Sequence, residues 1–375
     1  MRSFVLKNGS VGGKPIDIGI DENGRIASAV SGDEIDLPAT TIFPGYIDVH
    51  NHGANGIDVN TADADSLIGI GEFLAKHGVT AWLPTLVPDS DENYRRVINA
   101  IDEVMERQED LPAARILGVH YEGVFANEKM CGALRPEFFK KFTGTELNEL
   151  PRLKNGIHMT TFAPEIDGGV ELAGELTRQG WIASIGHTHA PVQTLDAAFD
   201  GGARHVTHFF NAMSGIHHRD IGVAGWTLAN RDVTFDIIAD GQHVAESMLA
   251  MVCRTKTPDK VSLISDSVAP TGLGDGEFEL WGEKIKVMNG ITQNERGSIA
   301  GSVITMNDAV KRMRRLGFSD IEVAKMASGN PAKLLRTDRE MGSMDVGKRA
   351  DIAAVDINGE VVLTLIGGRI VYRKD

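Results

Sequence analysis

The chain has 375 residues, 42% hydrophobic and 24% charged, the balance of an ordinary globular protein large enough for one big domain with a smaller addition. A net charge of −14 and a pI near 5.3 argue against a nucleic-acid binder that neutralises phosphates, although local Arg and His could still hold a phosphorylated small molecule. Its two cysteines, Cys131 and Cys253, are far apart and lack CxxC spacing, which excludes a disulfide framework and fits a reducing compartment.

The opening MRSFVLKNGSVGGK lacks the apolar core of a signal peptide, and no later apolar run is long enough to span a bilayer. A soluble, cytoplasmic protein is expected. The first forty residues alternate short β-like runs with turn signals, Asn8-Gly9 and Asn23-Gly24 reading as hairpin turns. Candidate buried strands follow: GYIDVHNH, TAWLPTLV, ARILGVHYEG, GIHMTTFAPE, WIASIGHTH, RHVTHFF, TFDIIADGQHV and KVSLISDSVAP. Helical stretches such as ADSLIGIGEFLAKHG, VELAGELTRQG and TLDAAFDGGA fall between them, several stopping at glycine. The last thirty residues return to short strands, with a turn at Asn358-Gly359. About eight strand–helix units predict a TIM-type (β/α)8 barrel over residues 45–334. Residues 1–44 and 335–375 would together form a small β-sandwich domain. A doubly wound sheet competes, but no GxGxxG follows the first strand.

In a barrel, catalytic groups come from the C-terminal ends of the strands. Polar residues concentrate there: His50 and His52 end the first strand, Glu122 the third, His187 the fifth, His208 the sixth and Asp266 the eighth. Strand side chains alternate with period two, so His50 and His52 can face the barrel axis together while Val49 and Asn51 turn elsewhere. Imidazoles with carboxylates suit zinc, iron or a similar divalent metal. One histidine at a strand end is usually structural, but four with two carboxylates at one mouth form a ligand set. Six ligands exceed the needs of one ion, so one or two ions are expected, with Glu122 as the bridge in the second case. Such an ion brings the pKa of water towards neutrality and polarises a carbonyl. Asp266 beside it would take the water's proton and pass it to a leaving amine. That combination hydrolyses an amide or a related bond.

The stretches PGYIDVHNHG, GVHYEGVF, TTFAPE, SIGHTHA, THFFNAM, GVAGWTLANRDVTFDIIADGQHV, LISDSVAPTG, AGSVITM and ASGNPAKLL carry a resemblance. Together they resemble the N-acetylglucosamine-6-phosphate deacetylase family of the amidohydrolase superfamily, over most of the chain. The resemblance implies a linear-amide hydrolase that removes acetate from an amino-sugar phosphate. It casts Glu122, His187 and His208 as ligands of one ion, and His50 and His52 as the pair that holds a second in some relatives. Asp266 becomes the catalytic acid/base, and His243, in ADGQHV, contacts the sugar and polarises the acetyl carbonyl. Ala133, Asn211, Ala212 and Met306 are implied as substrate contacts. Arg219 is implied to reach the phosphate in a neighbouring subunit, which requires a homodimer. His217 and His218 remain unassigned.

The family pattern is broken where it usually reads Gly-x-His-x-Pro; here CGALRP places Leu134 at the histidine's position. Leucine cannot replace a polar contact, so the contact is expected to be lost or taken over by the neighbouring Arg135. A smaller departure is Val124, where the family commonly has proline. The metal chemistry is untouched, but a different N-acyl amino sugar, with or without phosphate, becomes an alternative. A catalytically inactive sugar-phosphate-binding protein is another.

Overall fold

The computed structural model describes residues 2–374. Eight strands form the barrel: β1 (Tyr46–Asn51), β2 (Val79–Leu86), β3 (Gly118–Phe125), β4 (Ile157–Phe162), β5 (Ile182–Ile185), β6 (His205–Val206), β7 (Thr234–Ile238) and β8 (Val261–Ile264). Each runs parallel to the next. β1, β2 and β3 are buried along their whole length, as strands covered on both faces must be. The circle is nearly closed by a parallel bridge between Asn51 and Ser267 and by the Asp266 amide, which donates to His50 O at 3.0 Å.

Trp82, Val119, Tyr121 and Phe235 face outward into a large core shared with the surrounding helices, among them Ala64–Lys76, Asp91–Arg107, Gly169–Arg178 and Glu246–Lys256. The first and third of these end beside Gly78 and Gly180, both at φ +80, where a side chain would be strained. Inside the barrel, Ile47, Ala81, Leu83, Met159, Ile238 and Ile264 make an apolar floor, plugged from below by Ala332, Leu335 and Met341. Above the floor lies a polar layer: Thr161 Oγ1 is 2.7 Å from both His120 Nε2 and Thr207 Oγ1. No helix among the described residues is long and apolar enough to cross a membrane.

Strands from both termini form one mixed, largely antiparallel eight-stranded sheet. Thr41–Pro44 pairs with Ile352–Val355, so the two ends of the chain interlock. The sheet wraps its own core of Leu6, Ile18, Ile20, Ile352, Leu363 and Leu365. Asn8-Gly9 is not a hairpin turn. It lies within the strand Phe4–Val11, at a break in register between Leu6 and Gly9. The turn is Gly12-Gly13, both at positive φ, between paired Val11 and Lys14. Asn8, at φ +61, takes the left-handed backbone at this break, and Gly9 packs against the end of the Ile42 side chain. Sequence periodicity also gave no sign of an antiparallel flap that follows β8: strands Gly276–Leu280, Glu283–Met288 and Ile291–Asn294.

Asn51, between the two histidines, clamps the barrel seam. Its Nδ2 donates to Asp48 Oδ2 at 3.0 Å and Ser267 Oγ at 2.7 Å, and its Oδ1 accepts from the Gly53 amide at 3.0 Å. Asn51→Ala removes these bonds and leaves buried partners unmet, so unfolding stability should drop by about 2–4 kcal/mol. Denaturant titration reads the change, and a loss below about 1 kcal/mol would show that the seam is held elsewhere.

Candidate active site

The pairing of β1 with β2 slips by one residue between Asp48 and Asn51. Ile47 and Val49 face the barrel interior, so unbroken alternation would turn His50 outward. The bulge resets the phase and lets His50 and His52 reach the centre too. Period two relates the two histidines to each other, and the bulge aims them.

The remaining groups arrive from the ends of other strands. Glu122 lies on β3, just before Gly123 at φ +72. His187, His208 and Asp266 each sit two residues beyond the end of β5, β6 and β8, at φ +48, +31 and +50. Left-handed backbone costs a non-glycine residue about 1–2 kcal/mol, and three such residues around one centre mark a place where geometry is bought with stability. Local bonds hold them: the Asp236 carboxylate accepts from the His208 amide, and the Ser302 amide donates to Asp266 O at 2.7 Å.

The six side chains fall into two groups, His50–His52–Asp266 and Glu122–His187–His208. In the second, Glu122 Oε1 is 3.0 Å from His187 Nε2 and 2.9 Å from His208 Nε2. In the first, Asp266 Oδ1 is 3.4 Å from His50 Nε2 and 3.3 Å from His52 Nε2. Glu122 spans the two, its Oε1 3.4 Å from His50 Nε2 and its Oε2 3.2 Å from His52 Nε2. Tetrahedral coordination at about 2.1 Å separates neighbouring ligand atoms by about 3.4 Å. The donor set therefore fits a divalent ion. Two rings also have their Nδ1 against backbone carbonyls, His52 at Thr85 O (3.1 Å) and His187 at Met130 O (2.8 Å). An Nδ1–H donated there leaves the Nε2 lone pair facing the centre.

The electrostatics agree. Burial would push His52 and His208 down, yet the Glu122 and Asp266 carboxylates outweigh it and raise them to about 10 and about 9. Burial likewise opposes ionisation of Glu122, but the surrounding imidazoles hold it well below the usual carboxylate range. The same histidines lower Asp266 despite its burial. This is a field that calls for positive charge at the centre. His120, beneath His50, is driven well below its ordinary value by burial and by the neighbouring histidines, so it serves as a neutral support.

Over this centre lies a cavity of about 270 Å3 lined by His52, Glu122, His187, His208 and Asp266, with Ala133 and Leu134 on one side and Asn211, Ala212 and His243 elsewhere around it. His243 Nδ1 is 2.6 Å from Asp240 Oδ2, an arrangement that fixes the ring. Met306, expected as a substrate contact, is wholly buried in the main core at the start of Met306–Arg315 and does not line the cavity. Arg219 is exposed on a loop outside it. Arg135 does not replace the missing histidine: it pairs with Asp89 Oδ2 at 2.7 Å and donates to Pro88 O at 2.8 Å, away from the cavity. Sequence reading missed Asp240, though its i−3 spacing from His243 was a visible signal. It also missed Trp281, Ser298 and Ile299, which the flap and its return segment bring to the cavity.

Metal uptake has to displace protons from His52 and His208. Both are raised, so both are protonated below about 9 in the metal-free fold. Zinc binding to chelator-treated protein should release protons, and its affinity should fall as pH drops from 9 to 6. Calorimetry in buffers of different ionisation enthalpy measures this; binding that is independent of pH would place the ion elsewhere.

A family model described as the amidohydrolase family matches residues 41–371. The N-acetylglucosamine-6-phosphate deacetylase of Bacillus subtilis is 35% identical over 98% of this chain and 94% of its own length. The N-acetylgalactosamine-6-phosphate deacetylase of Escherichia coli O157:H7 is 32% identical over 88% of each. A Mycobacterium smegmatis N-acetyl-D-glucosamine-6-phosphate deacetylase variant, solved with N-acetyl-D-glucosamine-6-phosphate, superposes with a TM-score of 0.88 at 27% identity, covering 98% of both chains. The chain belongs to the amidohydrolase family, in the branch of the N-acetylglucosamine-6-phosphate deacetylases.

Proposed function

We propose that this protein is a metal-dependent deacetylase that hydrolyses N-acetylglucosamine 6-phosphate to glucosamine 6-phosphate and acetate. The observation that carries the reading is the pair of ligand groups sharing Glu122 beneath a cavity, with Asp266 at its edge. Glu122, His187 and His208 would hold one ion, and His50 and His52, with Glu122 and Asp266, would hold the second where two bind; zinc or iron suits both sets of donors. A bound divalent ion acidifies water and polarises the acetyl carbonyl.

The chain's own residues supply the rest. Asp266 accepts the proton of the attacking water on its carboxylate and delivers it to the departing amine. Asp240 holds His243 Nδ1, directing Nε2 to the acetyl carbonyl. Asn211 and Ala212 orient the sugar phosphate, and Ala133 borders the sugar on the other side. Arg219, exposed on its loop, serves the phosphate of a second copy with its planar fork, which makes the working unit a homodimer. The reaction is assigned to the cytoplasm.

A second reading keeps the chemistry and changes the sugar to N-acetylgalactosamine 6-phosphate. The 32% identical N-acetylgalactosamine-6-phosphate deacetylase supports it, and Leu134 in the cavity wall offers no polar group to discriminate between the two sugars. Rates on both phosphates and on the two free sugars separate these readings. Asp266→Asn should lower kcat by about 10²–10⁴-fold while the ion at Glu122, His187 and His208, a group without Asp266, is retained; normal turnover would refute the role of Asp266. Arg219→Ala should raise KM for the phosphorylated sugar and leave the free sugar unaffected. An equal effect on both would remove Arg219 from the phosphate site.

A further inference from the structure

The cavity wall carries a donor with nothing to bond. Trp281 lines the cavity, and its indole Nε1 is buried without a hydrogen-bond partner. Trp82 Nε1 is also unpartnered, but Trp82 is sealed in the outward-facing core. Buried indole N–H groups usually find acceptors, so an unmet one at a ligand cavity points to the ligand.

The backbone supports the same reading. Trp281 and Gly282 form the two-residue tip of a hairpin in which Leu280 pairs with Glu283, and both tip residues have positive φ, +55 and +79. Such a turn favours asparagine, aspartate or glycine, and a tryptophan there is held against its backbone preference. The tip is anchored where it delivers the ring to the site. Trp281 packs beside the Val268, Leu280, Ile285 and Ala300 cluster and meets His52 edge-on, ring centroids 5.3 Å apart. Gly301, at φ +58, lets the return segment pass close over Asp266, since a Cβ there would lie 2.9 Å from Asp266 O.

We infer that Trp281 is a specificity-determining substrate contact: its Nε1–H donates to a ring hydroxyl of the amino-sugar phosphate. The inference rests on the proposed function. It supplies a polar contact on a wall where Ala133, Leu134 and Ile299 offer no side-chain donor.

Trp281→Phe keeps an aromatic ring and removes only the N–H. It should lower kcat/KM about tenfold on whichever N-acetylhexosamine 6-phosphate the wild type turns over, with unchanged metal content. With monodeoxy analogues, one hydroxyl deletion should cost the wild type about tenfold and Trp281→Phe almost nothing, the signature of a shared bond. Equal kcat/KM for wild type and Trp281→Phe, or a deoxy penalty that persists undiminished in the variant, overturns the inference alone. If the wild type deacetylates neither sugar phosphate, the proposed function fails and takes this contact with it.

Discussion

A single buried carboxylate organises the molecule. Glu122 lies within 3.4 Å of the Nε2 atoms of four histidines delivered by β1, β5 and β6. In a medium of low polarity, four convergent nitrogen donors around an anion are stable only if positive charge sits among them, whether as protons or as metal. The raised His52 and His208 express that demand directly. Much of the surrounding architecture serves to keep these donors from relaxing apart.

The barrel meets the demand in layers. At the bottom, aliphatic side chains from β1, β2, β4, β7 and β8 pack against the plug of Ala332, Leu335 and Met341. Next comes a polar layer in which His120, Thr161 and Thr207 satisfy one another. The six converging histidine and carboxylate side chains form the top layer, several on strained backbone. Strain of this kind persists where surrounding bonds over-determine it. Here the Asn51 clamp, the Asp236 carboxylate under the His208 amide and the Ser302 bond to Asp266 O do so.

The convergence of these side chains was legible in the sequence because a parallel barrel offers few places for a polar side chain. A histidine ending an apolar run must face the mouth or pay for burial, and His50, His52, His187 and His208 end such runs. The β1 bulge was not legible, since it depends on pairing with β2 rather than on β1's own pattern. Asn8-Gly9 misled because the dipeptide favours both a tight turn and a bulge, and only the pairing of Phe4–Val11 with Lys14–Ile20 decides between them. Met306 and Arg135 sit in or beside stretches that resemble the family, yet the first is enclosed by the core and the second is claimed by Asp89. Trp281 lay beyond reach for a different reason: the flap's short strands carry exposed, charged faces, and nothing local says that their tip folds back beside His52 at the cavity.

Anomalous diffraction from crystals of the zinc-loaded protein, collected at the metal's absorption edge, tests the central claim most directly. The account predicts a peak enclosed by Glu122, His187 and His208 and, where a second ion binds, another enclosed by His50, His52 and Asp266. A loaded crystal with no peak inside this ring of side chains, or with its metal bound elsewhere, would contradict it.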